Sequence, residues 1–257
     1  MPPPLEAVAA IACLSDEAVA REVDLDGRKA SVQFALYDLL RHEQALAVEV
    51  QLSERSEIGR VLDLAQARYG ELAGFLAGRD DALLDTARDG EWSLRDLLRH
   101  AIAVELRYAA QVEWSATRRD DDPLATPAAR LPGDRLAPPE PEYAASRTGG
   151  ILPLLDLLGR ARLATTRRSE AISPATLGRP SLWGTYEMTL RMRLHQIAVH
   201  LAEVIVQSEK MLGAESSEAR RIIRDLCAVR GAHELSSSAA GRAILDARYV
   251  RIAELIA

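Results

Sequence analysis

The sequence predicts an all-α protein: a four-helix bundle with a long Pro-rich crossover and extra N- and C-terminal helices. Three observations carry this prediction. Apolar residues recur at spacings of three and four along most of the 257-residue chain, and almost nothing alternates with period two. The segment EWSLRDLLRHAIAVELRY contains a complete helix-start signal. Six of the twelve prolines fall between Asp120 and Tyr143, where neither a helix nor a central strand survives.

The elements follow in order. Arg28 to Leu52 carries Val32, Leu36, Leu39, Leu46 and Val50 at helical spacings. Glu57 to Leu76 places Ile58, Leu62, Ala65, Leu72 and Phe75 or Leu76 on one side. Gly70, Gly74 and Gly78 recur in that region at intervals of four, a bare stripe that predicts a close helix crossing and a C-terminal cap. The next helix, Leu94 to about Ala116, has Ser93 as N-cap, Asp96 three residues on, and Trp92 and Leu97 as a hydrophobic staple. Beyond the Pro-rich segment a helix resumes at about Leu152, with Pro153 in its first turn, and ends at Ile172 before Ser173-Pro174. Tyr186 to Leu212 forms the last core helix, and Glu218 to Val229 and Ala239 to Ile256 complete the chain.

Neither side of the crossover has enough helices for a closed core, so residues 1–257 read as a single helical domain. Its core bundle spans about 57–212, with an N-terminal extension at 1–52 and a C-terminal one at 215–257.

Composition excludes several function classes. The net charge is −6, and basic residues occur in short pairs such as Arg118-Arg119 and Arg220-Arg221 without interleaved aromatics, so nucleic acid is not an expected partner. The start, MPPPLEAVAAIACLSDE, lacks a basic region before its apolar run, and no later run has the ~18 residues of a membrane span. A cytoplasmic location without membrane association is expected. Cys13 and Cys227 lie in unrelated apolar contexts and read as buried thiols. The absence of asparagine fits a GC-rich genome or a hot habitat, and does not separate the two.

The chemistry centres on LRMRLHQIAVHLAEVIVQSEKML, residues 190–212. Leu190, Leu194, Ile197, Leu201, Val204, Ser208 and Met211 define its core stripe. At about 100° per residue His195 falls opposite that stripe, whereas His200 lies at its edge, continuing a polar line through Gln196, Glu203 and Gln207. His100, flanked by Leu97, Ala101 and Val104, occupies the equivalent edge of its own helix, so His100 and His200 are expected to meet across the bundle. Glu105 lies on the apolar side of the same helix, where an ionised carboxylate requires a partner; a structural pair with an arginine or an indole N–H is one role, a general base the other. His42 and His233 read as surface residues.

Together EWSLRDLLRHAIAVE and HLAEVIVQSEKML resemble the DinB-like superfamily of four-helix bundles, over about Glu57 to Leu212. Trp92, Ser93, Leu98, His100 and Glu105 match its first motif, and His200 and Gln207 its second. The resemblance implies a divalent metal, nickel or zinc, held by one histidine of the first motif and two of the second. His100 and His200 take two ligand positions; the third falls on Val204, which cannot ligate. Asp63 is a candidate replacement from another helix.

Two functions follow from the resemblance. One is a metal-dependent thiol transferase, isomerase or hydrolase acting on a small thiol or electrophile, with Glu203 or Glu105 assisting proton transfer. The other is a bundle with a degenerate metal site serving as a small-molecule binding or dimerisation module, plausibly as a homodimer. Val204 favours the second.

Overall fold

Four predicted helices occur within two residues of where the periodicity puts them. The structure is a computed structural model and describes residues 3–25, 27–87, 91–133, 137–213 and 217–256. In chain order the elements are α1 (Leu5–Ala12), α2 (Asp16–Ala20), β1 (Glu22–Leu25), β2 (Arg28–Ser31), α3 (Val32–Gln51), α4 (Glu57–Leu76), α5 (Leu94–Thr117), α6 (Ala145–Thr148) and α7 (Ile151–Glu170), followed by β3 (Pro180–Trp183), β4 (Tyr186–Thr189), α8 (Leu190–Leu212), α9 (Glu218–Glu234) and α10 (Ala239–Ile256). The protein is all-α, its strands confined to two short antiparallel hairpins among the described residues.

Those hairpins correct the sequence reading. Arg28–Ser31, expected inside a helix, pairs with Glu22–Leu25, and α3 starts at Val32, where the Ser31 hydroxyl accepts from the Phe34 N–H at 3.0 Å. Tyr186–Thr189, also expected to be helical, pairs with Pro180–Trp183. The two-residue turn Gly184-Thr185 joins the strands with Gly184 at φ 59°, the left-handed conformation such hairpin turns require. Trp183 and Tyr186, which flank that turn, are the aromatic strand formers here, too few to stand out from the helical spacing that follows. The apolar N-terminal run is helical as α1, and α9 continues beyond Val229 to Glu234.

The chain forms two compact units. The first is Met1–Arg55, Gln66–Asp81 and Glu209–Ala257; the second is Ser56–Ala65 and Ala82–Ser208. Both terminal extensions therefore belong to the first unit. There α1, α3, α9 and α10 enclose an apolar cluster that includes Val8, Ile11, Leu36, Leu39, Ile223, Leu226 and Tyr249. Each such aliphatic side chain contributes about 1.5–3 kcal/mol on full burial.

The glycine stripe is used as the sequence predicts. A Cβ on Gly70 would lie 2.1 Å from the Cys227 carbonyl oxygen, and one on Gly74 would lie 2.8 Å from the Arg224 Cα. The α9 backbone therefore occupies the volume a larger side chain would need, and Gly231 meets the α4 backbone in the same way. Gly78, at φ 68°, lies just past the end of α4.

A buried polar group sits in this unit. Glu43, Arg230 and His233 are fully buried, with Arg230 3.4 Å and His233 2.5 Å from the Glu43 carboxylate. Arg230 also pairs with Asp246 at 2.6 Å. His233 is thus an interior residue and not a surface one as its sequence context suggested: Ala219, Ile223, Leu226, Cys227 and Arg230 are buried on the same helix. Cys227 is buried, and burial pushes its thiol pKa up. Cys13, expected to be buried, is exposed and donates to the Gly78 carbonyl at 3.2 Å.

In the second unit the first part of α4, α5, α7 and the main part of α8 make up the four-helix arrangement. Helices α5 and α7 pack along their length. The Pro-rich segment is anchored to α5: the Trp114 indole donates to the Pro123 carbonyl at 3.1 Å, Arg107 donates to the Gly133 carbonyl at 2.8 Å, and Arg130 lies over the Trp114 ring. No described helix is long and apolar enough to cross a membrane.

Candidate functional site

Helix α5 begins as its sequence dictates. The Ser93 hydroxyl accepts from the Asp96 N–H at 3.1 Å and donates to the Asp96 carboxylate at 2.8 Å. Trp92, just before the cap, lies edge-on to the His100 ring with centroids 4.8 Å apart. The cap and this ring contact place His100 two turns into the helix, pointing towards α8.

His200 answers it. The His100 and His200 rings approach edge to face with centroids 5.3 Å apart, and the Tyr108 ring also meets His200, at 5.7 Å. His200 is buried and its pKa is lowered to about 4, first by loss of hydration and then by His100 and the Arg193 cation. It is therefore neutral at physiological pH.

Both histidines line a cavity of about 480 Å³ in the second unit. Its walls come from α5, α8 and the β3–β4 hairpin. The hairpin contributes Trp183 and Tyr186, stacked at 6.1 Å and 27°; the Trp183 indole donates to the Tyr108 hydroxyl at 3.2 Å. Arg193 closes one side. Its guanidinium lies 4.2 Å from the Tyr108 ring centroid, donates to the Gln111 side-chain oxygen, and is fully buried. Burial pulls its pKa down, opposed by Tyr108.

The remaining predicted residues take different places. Glu203 lines the cavity but is exposed. Glu105 is 2% exposed and accepts from the fully buried Arg162, while the Thr165 hydroxyl reaches the Glu105 carbonyl at 3.3 Å. The carboxylate is thereby a structural partner of α7 and not a cavity group. Val204, one turn beyond His200, is buried. His195 is half-buried, near the exposed Glu57–Arg191 pair.

The donor set decides whether a metal fits. Two imidazoles sharing one tetrahedral ion at about 2.1 Å have ring centres about 5 Å apart, so the His100–His200 spacing by itself is compatible. A catalytic divalent site needs a third protein donor. Among the described residues no group of three or more His, Cys, Asp or Glu side chains is placed to hold an ion. Neither Asp63 nor Glu203 completes the pair. The Arg193 cation in the same cavity repels a divalent ion further. These residues do not fit the three-histidine site.

Sequence reasoning missed Arg193, Tyr108, Gln111 and the hairpin aromatics. Arg193 precedes His200 by seven residues, two helical turns, so both share a face of α8. Tyr108 and Gln111 follow His100 by eight and eleven on α5. These spacings were visible; that the two lines face one cavity was not.

The family model described as the DinB superfamily matches residues 63–203, more than half of the chain. No curated protein matches significantly. Among solved structures the chain is similar to YfiT from Bacillus subtilis, described as a probable metal-dependent hydrolase with an unusual four-helix bundle topology. The identity is 18%, the TM-score 0.41, and the match covers 62% of this chain and 91% of that one.

Proposed function

For a chain that belongs to the DinB superfamily, we propose a small-molecule binding role, with the cavity between α5, α8 and the β3–β4 hairpin as the ligand site and the family's metal centre degenerate. The observation that supports this most is the donor set: two histidines, a valine at the third ligand position, and a buried arginine facing the same space. The cavity volume lies in the range that takes small organic ligands, and its walls combine aromatic faces with a few polar groups.

Metal analysis of freshly purified protein tests the proposal, together with a thermal-shift screen of divalent ions and small organic compounds. The expected result is well under one ion per chain, unchanged by His100→Ala, with stabilisation by organic compounds. A stoichiometric ion lost in His100→Ala and in His200→Ala would restore the metal-dependent enzyme reading.

Self-association is a second reading with its own observation. Met192, Val199 and Val206 are exposed at intervals of seven along α8, an apolar row of the kind that pairs helices. Sedimentation velocity of the wild type against Val199→Glu is the test, with a shift from dimer to monomer expected.

A further inference from the structure

Three arginines are among the largest fully buried side chains of the protein: Arg162, Arg193 and Arg230. Removing a guanidinium from water costs several kcal/mol unless an anion compensates it. Arg162 has Glu105, and Arg230 has Glu43 and Asp246. Among the described residues Arg193 has no carboxylate within ion-pair distance. Its partners are neutral, the Gln111 side chain and the ring and hydroxyl of Tyr108, and among the described residues its Nε and Nη1 atoms have no well-aligned hydrogen bond.

Arg193 lines the cavity between α5, α8 and the hairpin. The groups facing that space add to its bias. Arg107 is a second cation on the wall, His200 is neutral, and the one carboxylate among the lining residues, Glu203, is exposed. The hairpin adds Trp183 and Tyr186 to the same lining as a stacked aromatic surface.

We propose that the cavity is a binding site for a small carboxylate with a flat, unsaturated body: its carboxylate pairs with Arg193 and its body lies against Trp183 and Tyr186. The proposal rests on the small-molecule reading above and specifies the chemical class. A carboxylate supplies what Arg162 and Arg230 obtain from their own chain, and the planar guanidinium suits its geometry. A phosphate would satisfy the charge but leave the aromatic surface unused.

The test uses the full chain and three probes: benzoate, its neutral isostere benzamide, and inorganic phosphate. Titration calorimetry and quenching of tryptophan fluorescence report binding. Benzoate is expected to bind at least about tenfold more tightly than benzamide or phosphate, a difference of about 1.4 kcal/mol. The fluorescence response is expected to disappear in Trp183→Phe. Arg193→Met should remove the preference for benzoate over benzamide, while Arg193→Lys retains part of it.

The comparison of benzoate with benzamide in the wild type needs no variant to fold. Equal binding of those two would overturn the carboxylate assignment and leave the cavity reading standing. Tighter binding of phosphate would overturn the flat-carboxylate class. Absence of binding by all three, with a stoichiometric ion present, would overturn both readings.

Discussion

In the first unit His233 and Arg230 share the carboxylate of Glu43; in the second, His200 and Arg193 share a cavity whose one lining carboxylate, Glu203, is exposed. The residue types are the same and all four side chains are buried. The acidic partner makes the difference. Where Glu43 supplies the negative charge, the cluster is closed and serves the fold. Where Val204 and Gln111 occupy the neighbouring positions, His200 is driven neutral and the guanidinium is left uncompensated by charge. A buried cation without an anion is a poor contributor to stability, and a ligand is one reason to tolerate it.

The largest effect expected from breaking this comparison is at Glu43. Glu43→Gln removes the charge between two basic side chains and should cost about 3–5 kcal/mol in urea unfolding. A loss under about 1 kcal/mol would mean that Asp246 alone compensates Arg230.

Next is the pH response of His200. Its folded pKa, about 4, lies below the ordinary 6.5, so the unfolded chain takes up the proton first. Stability from this group is therefore complete above about pH 6.5, falls as pH drops towards 4, and then levels off, with a total loss of no more than about 3 kcal/mol. Urea midpoints of wild type and His200→Phe at about pH 7.5 and pH 5 should differ in this way, the variant losing less on acidification. An equal loss in both would place the acid sensitivity elsewhere.

A smaller effect is expected where α4 crosses α9. Gly70→Ala drives a methyl group into the Cys227 carbonyl and should cost about 1–3 kcal/mol, read as a lower thermal midpoint. The same substitution at Gly178, which has open space around it, should change little and serves as the control.

The smallest change is expected at the residue that carries the ligand assignment. Arg193→Met should alter unfolding free energy by about 1 kcal/mol or less, in either direction, because no ion pair is broken. Destabilisation as large as that of Glu43→Gln would show that the two buried clusters serve the fold alike.

The helices were legible because burial of one helix face imposes a local period of three and four, and the start of α5 was further marked by its capping Ser93, whereas the cap at Ser31 went unread and the start of α3 was placed four residues early. The hairpins were not, since strands of four residues carry too few alternations to register. Part of the site was equally visible. His100 and His200 sit at the edges of their apolar stripes, and the rings do meet. His233 and Cys13 were misplaced because a polar residue can be buried by satisfaction, and an apolar context can lie at a surface.

The sequence by itself determined the helical class and the glycine crossing, both properties of local spacing, and its motifs carried the resemblance to the family that the comparison over residues 63–203 shows. Only the tertiary structure decided which charges find partners. Glu105 is spent on Arg162, 57 residues away, and Glu43 on His233, 190 residues away. Among the described residues Arg193 pairs with Gln111 and Tyr108, beside a cavity that no sequence interval describes. Compensation of a buried charge falls steeply with distance in space and is indifferent to distance along the chain.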